Sequence, residues 1–179
     1  MRFNLYHLLP LALLTGCSNF ASMAGIGWPS DVFTTEIGGV YGHNLADGQV
    51  IDLAWAADSN IACFPATENT NFSGNHVFFG LNQPENAYLT VAVTPEPGVD
   101  VSLYLLQMAP DAYAVPPGDL SGVLACEDSF DYVSDGNPGE LEYVETLAYQ
   151  GGNNVLVGVA GANGALEGGF DLEIYAEML

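Results

Sequence analysis

Ala87-Tyr88-Leu89-Thr90-Val91-Ala92-Val93 decides the fold class. Leu89, Val91 and Val93 share one face, and Tyr88, Thr90 and Ala92 share the other. Alternation of this kind is the mark of a strand with one face on a core. The pattern recurs in both directions. In Val99-Asp100-Val101-Ser102-Leu103-Tyr104-Leu105 the odd-numbered residues are apolar, and Asp100 and Ser102 are expected to face outward. Val155, Val157 and Val159 alternate with Leu156, Gly158 and Ala160. Phe170, Leu172 and Ile174 alternate with Asp171, Glu173 and Tyr175. Further strands are expected at Gln49–Trp55, His76–Leu81, Val123–Glu127 and Leu141–Ala148, with a weaker one near Phe33–Tyr41.

Turn chemistry separates these segments. Ala46-Asp47-Gly48, Asn82-Gln83-Pro84, Pro95-Glu96-Pro97-Gly98, Asp135-Gly136-Asn137-Pro138-Gly139, Gly151-Gly152-Asn153-Asn154 and the Gly161–Gly169 stretch supply the Gly, Pro and Asn that tight reversals need. No stretch beyond the first residues gives a capped amphipathic helix. The expected architecture is all-β: a two-sheet antiparallel sandwich, jelly-roll-like, of eight or nine strands. A closed barrel is the alternative. Short strands without aromatic girdles weigh against a transmembrane barrel.

The chain has 179 residues and a formal net charge of −21, yet 49% of its residues are hydrophobic. That length suits one domain, and that apolar fraction excludes a disordered acidic tail. Arg2 is the only basic residue besides three histidines. Nucleic-acid binding is thereby excluded, because it needs Lys and Arg to displace phosphate counterions. A basic patch on anionic lipid is excluded as well.

The chain starts MRFNLYHLLPLALLTGCSNF. Arg2 gives a minimal positive region, and Leu8 to Leu14 is an apolar run too short to span a bilayer. Leu14-Thr15-Gly16-Cys17 resembles the lipobox of bacterial lipoproteins. The resemblance implies a signal peptide over residues 1–16, cleavage before Cys17 and lipid on that cysteine. Residues 17–30 then form the lipidated cysteine and a flexible tether, and residues 31–179 a single β-sandwich domain. Ser18, where Asp would mark inner-membrane retention, implies the outer membrane or cell surface of a Gram-negative envelope. The plain alternative is a secretory signal with an incidental cysteine. All 22 Asp and Glu lie beyond Cys17, and no Lys or Arg does. Added salt is therefore expected to stabilise the mature domain.

Cys63 and Cys126 are the two remaining cysteines. In an exported chain they are expected to form one disulfide, with two buried thiols as the alternative. Neither belongs to a zinc-type spacing.

Chemistry-bearing groups are few. A nucleophilic hydrolase needs a base beside its Ser or Cys. Beyond the leader only His43 and His76 are available, both read as solvated, and no Gly-x-Ser-x-Gly elbow occurs. The chain is therefore not expected to be an enzyme. Asp128, Asp131 and Asp135 lie in the most acidic loop segment and could supply oxygen ligands to Ca²⁺, though not in EF-hand spacing. A solvated loop is the alternative. Tyr88, Tyr104, Tyr143, Tyr149 and Tyr175 fall in or near strands and could form a sugar-stacking face.

The order of the segments carries a second resemblance. Asn75-His76-Val77-Phe78-Phe79-Gly80-Leu81 looks like the strand that opens the core of the bacterial pre-peptidase C-terminal domain family. Val99–Leu105 is similar to that family's Phe-Asp-Thr-x-Leu-Tyr-Leu segment, and Leu124-Ala125-Cys126-Glu127-Asp128 to its Leu-Ala-Cys-Asn-Asp turn. Asn154 to Tyr175 is similar to its closing hairpin. The resemblance implies a jelly-roll-like sandwich that serves as a non-catalytic accessory or binding module, contacting protein or envelope components. A carbohydrate-binding module of the cell surface is the alternative, and a hydrolase of unknown type a second one.

Overall fold

The computed structural model describes residues 28–54, 70–117, 124–127, 138–148 and 151–179. Among them are ten strands: β1 (Val32–Thr34), β2 (Val40–Asn44), β3 (Gln49–Val50), β4 (Asn75–Gln83), β5 (Ala87–Pro95), β6 (Val101–Met108), β7 (Leu124–Glu127), β8 (Glu142–Ala148), β9 (Asn153–Gly161) and β10 (Gly169–Met178). They form an all-β sandwich. One sheet has the order β1-β4-β9-β6-β7, with the short β3 also paired to β4, and the other has the order β2-β10-β5-β8. Every pairing is antiparallel except β1 with β4.

The alternating residues build the space between the sheets. Leu89, Val91 and Val93 of β5 and Phe170, Leu172 and Ile174 of β10 meet Val77, Phe79 and Leu81 of β4, Leu103 and Leu105 of β6 and the valines of β9 in one core. Each fully buried Val, Leu or Phe contributes about 1.5–3 kcal/mol relative to exposure. A polar clasp joins the sheets at one end. Gln83 Nε2 donates to the carbonyls of Ala87 and Thr146, and Gln107 Nε2 donates to Gln83 Oε1 at 2.8 Å.

The six-stranded sheet departs from one-sided alternation. Val101 to Leu106 are all buried, and Ser102 does not face solvent. The reason is a second apolar layer on that sheet's outer face. Phe78, Tyr104, Leu106, Met108, Leu156 and Ala160 are buried there with Val32 and Phe72, and Trp28, Ile51, Leu53, Ala112 and Val115 pack over them. A sheet covered on both faces reads as a continuous apolar run. Close packing depends on two glycines in this layer. Gly158 directly opposes Tyr104, whose ring occupies the space a Cβ there would take, and the Trp28 indole lies on Gly80 in the same way.

Two sequence expectations are corrected by topology. The weak Phe33–Tyr41 strand is two strands in different sheets, β1 and β2, separated by a turn in which Gly38 has φ +85°. The Gln49–Trp55 strand stops at Val50, because Ile51 and Leu53 turn away to join the covering layer.

Candidate functional site

The two sandwich faces are unequal. The outer face of the six-stranded sheet is covered, whereas the outer face of β2-β10-β5-β8 carries exposed side chains. Register places Tyr143 of β8, Ala92 of β5 and Glu173 of β10 in one cross-strand row. The next row is Glu145, Thr90 and Tyr175, and the one after is Leu147, Tyr88 and Glu177. Tyr88, Tyr143 and Tyr175 are 43%, 50% and 50% exposed, high values for rings within strands.

Ala92 and Thr90 are short, so they form the floor of a shallow trough. Tyr143 and Glu145 stand along one side, Glu173 and Tyr175 along the other, and Tyr88 closes one end. Along each wall ring and carboxylate succeed one another, and across the trough each ring faces a carboxylate. Hydroxyls hold both acids in place. Thr90 Oγ1 donates to Glu145 Oε1 at 3.0 Å, and the Tyr175 hydroxyl donates to Glu173 Oε2.

The other tyrosines named from sequence behave differently. Tyr104 is fully buried, because its strand lies under the covering layer. Tyr149 lies outside the described residues.

Neither histidine is a free base in solvent. His76 is buried, which corrects its reading as solvated. Its Nε2 lies 2.8 Å from the Phe72 carbonyl, and its Nδ1 lies 2.9 Å from the Tyr104 hydroxyl. A carbonyl only accepts, so Nε2 carries the proton and Nδ1 accepts from Tyr104. Burial lowers the His76 pKa to about 4, against the smaller upward pull of its bond to the Phe72 carbonyl. Burial also pushes the Tyr104 hydroxyl well above its usual range, so the pair is neutral. His43 is wedged among the rings of Phe33, Phe79 and Phe170, with centroids at 4.2, 4.9 and 6.5 Å. Its Nδ1 is 3.3 Å from Asp47 Oδ2, and that oxygen also accepts from the Asn44 amide in a capping box. His43 and Asp47 line an open groove with Glu96, Phe170 and Asp171.

Cys17, Cys63, Asp128, Asp131 and Asp135 lie outside the described residues. For Cys126 the backbone is placed, paired with Leu105 on β6. Among the described residues no group of three or more His, Cys, Asp or Glu is placed to hold a metal ion.

Sequence reading missed Glu145, Glu173 and Thr90 as partners of the tyrosines. The signal was present in strand phase, since all three share the outward parity of Tyr143, Tyr175 and Tyr88. What sequence did not give was the register that sets them side by side.

No family model matches the sequence, and no curated protein matches it. Among solved structures, the chain is similar to the pre-peptidase C-terminal domain of collagenase from Bacillus anthracis. The identity is 13% and the TM-score 0.43, over 83% of this chain and 99% of that one.

Proposed function

We propose that the protein is a non-catalytic β-sandwich module of the cell envelope that contacts protein or envelope components through the outer face of its four-stranded sheet. One observation carries this reading: three half-exposed tyrosines are interleaved with carboxylates on that face, while the opposite face of the sandwich is buried. The histidines support a non-catalytic role. His76 is committed to Tyr104 and Phe72 in the interior, and His43 is packed among three phenylalanines.

In this reading residues 1–16 are a signal peptide and lipid on Cys17 holds residues 31–179 at the outer membrane or cell surface, with residues 17–30 as tether. Cys63 and Cys126 form a disulfide, and the loop bearing Asp128, Asp131 and Asp135 is offered as a Ca²⁺ site. Metabolic labelling with a palmitate analogue tests the anchor. Label should be lost in Cys17→Ser, and retained label would end the proposal. Alkylation without reductant tests the disulfide, and calorimetric titration of metal-free protein tests the Ca²⁺ site.

The binding role is tested by sedimenting the purified domain with outer-membrane fragments. Replacing Tyr88, Tyr143 and Tyr175 together by Ala should strongly reduce the bound fraction. Undiminished sedimentation of the triple variant would remove this face from consideration. A carbohydrate partner is a second reading, favoured by the same three rings, because tyrosine faces stack on sugars and neighbouring carboxylates accept hydroxyl hydrogen bonds.

A further inference from the structure

We infer that the trough over Ala92 and Thr90 is a docking site for an extended polypeptide segment whose arginine or lysine side chains alternate with small residues. The inference rests on the binding role proposed for this face and names its occupant.

Charge complementarity carries it first. The trough is walled by Glu145 and Glu173, with Glu177 and Asp171 on the same outward face. Beyond Arg2 the chain has no Lys or Arg to offer these acids. A Lys or Arg side chain that meets these acids therefore comes from another molecule.

Shape narrows the partner. Tyr143 and Glu173 stand on strands separated by β5, so their backbones are about 10 Å apart. A gap of that width, floored by Ala92, accepts one side chain with van der Waals contact of roughly 3.5–4 Å on either side. A cation lying there has a tyrosine ring on one flank and a carboxylate on the other. Ring faces attract Lys and Arg through their quadrupole, and carboxylates form charge-assisted hydrogen bonds with the same groups. The Glu145–Tyr175 row offers the same pair in reversed order.

Spacing narrows it further. The two rows are two residues apart along each strand, about 6.8 Å. An extended peptide repeats its side chains on one face at that interval. Basic residues at every second position therefore match both rows, whereas consecutive basic residues send every other one away from the trough. Thr90 and Tyr175 already hold the two carboxylates by hydroxyl donation, so less side-chain freedom is lost on binding.

The test uses the purified domain and an acetylated, amidated Arg-Ser-Arg-Ser-Arg peptide at about 0.15 M salt, where long-range attraction is screened. An Arg-Arg-Arg-Ser-Ser peptide of equal charge is the control. The alternating peptide should bind more tightly. Tyr143→Leu with Tyr175→Leu, which leaves the net charge unaltered, should weaken it about tenfold. Asp111→Asn with Glu167→Gln removes two exposed carboxylates elsewhere and should change affinity by less than about twofold. The tyrosines are exposed, so the melting temperature of their variant should stay near wild type.

Equal affinity for both peptides, or no loss in the tyrosine variant, overturns the inference in favour of unspecific attraction. Chitohexaose shifting the backbone amides of Ala92 and Thr90, with the alternating peptide leaving them unmoved, overturns it in favour of a sugar. If the peptide fails while the triple tyrosine variant still loses envelope sedimentation, this inference falls and the binding role stands.

Discussion

The Tyr104 hydroxyl donates to Nδ1 of His76 across 2.9 Å, in a layer from which solvent is excluded. The two residues belong to β6 and β4, which flank β9 in the six-stranded sheet. Their bond ties the outer face of that sheet across its central strand, and the His76 bond to the Phe72 carbonyl extends the tie to the covering layer.

This arrangement makes stability depend on pH in a definite direction. The imidazole charges near pH 4 in the folded chain and near 6.5 in an unfolded one. Between those values the unfolded chain binds more protons. The contribution is therefore fully present above pH 6.5 and is lost as pH falls toward 4. The shift corresponds to ~3 kcal/mol at most. Falling pH also protonates carboxylates and relieves their repulsion, so the histidine effect is read as the difference between wild type and His76→Gln in urea unfolding. That difference should shrink from pH 7 to pH 4.5. Imidazole NMR should show His76 titrating near 4, and a midpoint near 6.5 would refute the buried neutral state.

Removing only the hydroxyl should be costly. Tyr104→Phe leaves the buried Nδ1 of His76 without that donor, at about 1–3 kcal/mol. Urea unfolding of the variant measures it, and an unchanged midpoint would show that the bond adds nothing.

Gly158 and Tyr104 should be coupled. A methyl at Gly158 runs into the Tyr104 ring, and overpacking of this kind costs typically 1–3 kcal/mol. Gly158→Ala should therefore destabilise the wild type. In a Tyr104→Ala background the same change should cost much less, since alanine suits a strand better than glycine. A double-mutant cycle gives the coupling, and additive losses would mean the ring does not rely on that glycine.

Asn154 holds the covering layer to the sheet. Its Nδ2 donates to the carbonyls of Pro110 and Ala112 at 3.0 and 2.8 Å, and its Oδ1 accepts from Asn82. Asn154→Ala removes three hydrogen bonds made by a fully buried side chain and should cost about 1–3 kcal/mol. Amide hydrogen exchange should quicken over residues 109–115 before it does in β5 or β10. Uniform acceleration throughout would mean that this segment is not separately secured.

Salt should raise the melting temperature. His43 pairs with Asp47, but beyond Arg2 the chain has no Lys or Arg to set against its 22 acidic residues. Screening weakens their mutual repulsion. Calorimetric scans from about 0.05 to 0.5 M sodium chloride should show a steady rise, and a steady fall would contradict it.

Strand parity was legible in sequence wherever one face is wet. Leu89, Val91 and Val93 read inward, Tyr88 and Thr90 read outward, and the sheets agree. Parity misled in β6. Ser102 and Tyr104 lie on the outward side of their strand but are buried, Tyr104 in the layer that Phe72, far off in sequence, shares with it. His76 was misread for the same reason. A polar residue opening a strand is ordinarily wet, and only the third dimension brings Phe72 and Tyr104 to it. The tyrosine-lined trough was half visible. Its residue types and phase were readable, whereas the neighbour relations of β8, β5 and β10 belong to topology.

The contact between Trp28 and Gly80 gives the molecule a front and a back. The chain enters the sandwich beneath its padded side, where the indole lies against β4. The tyrosine-lined front looks the other way, clear of the point where the chain enters.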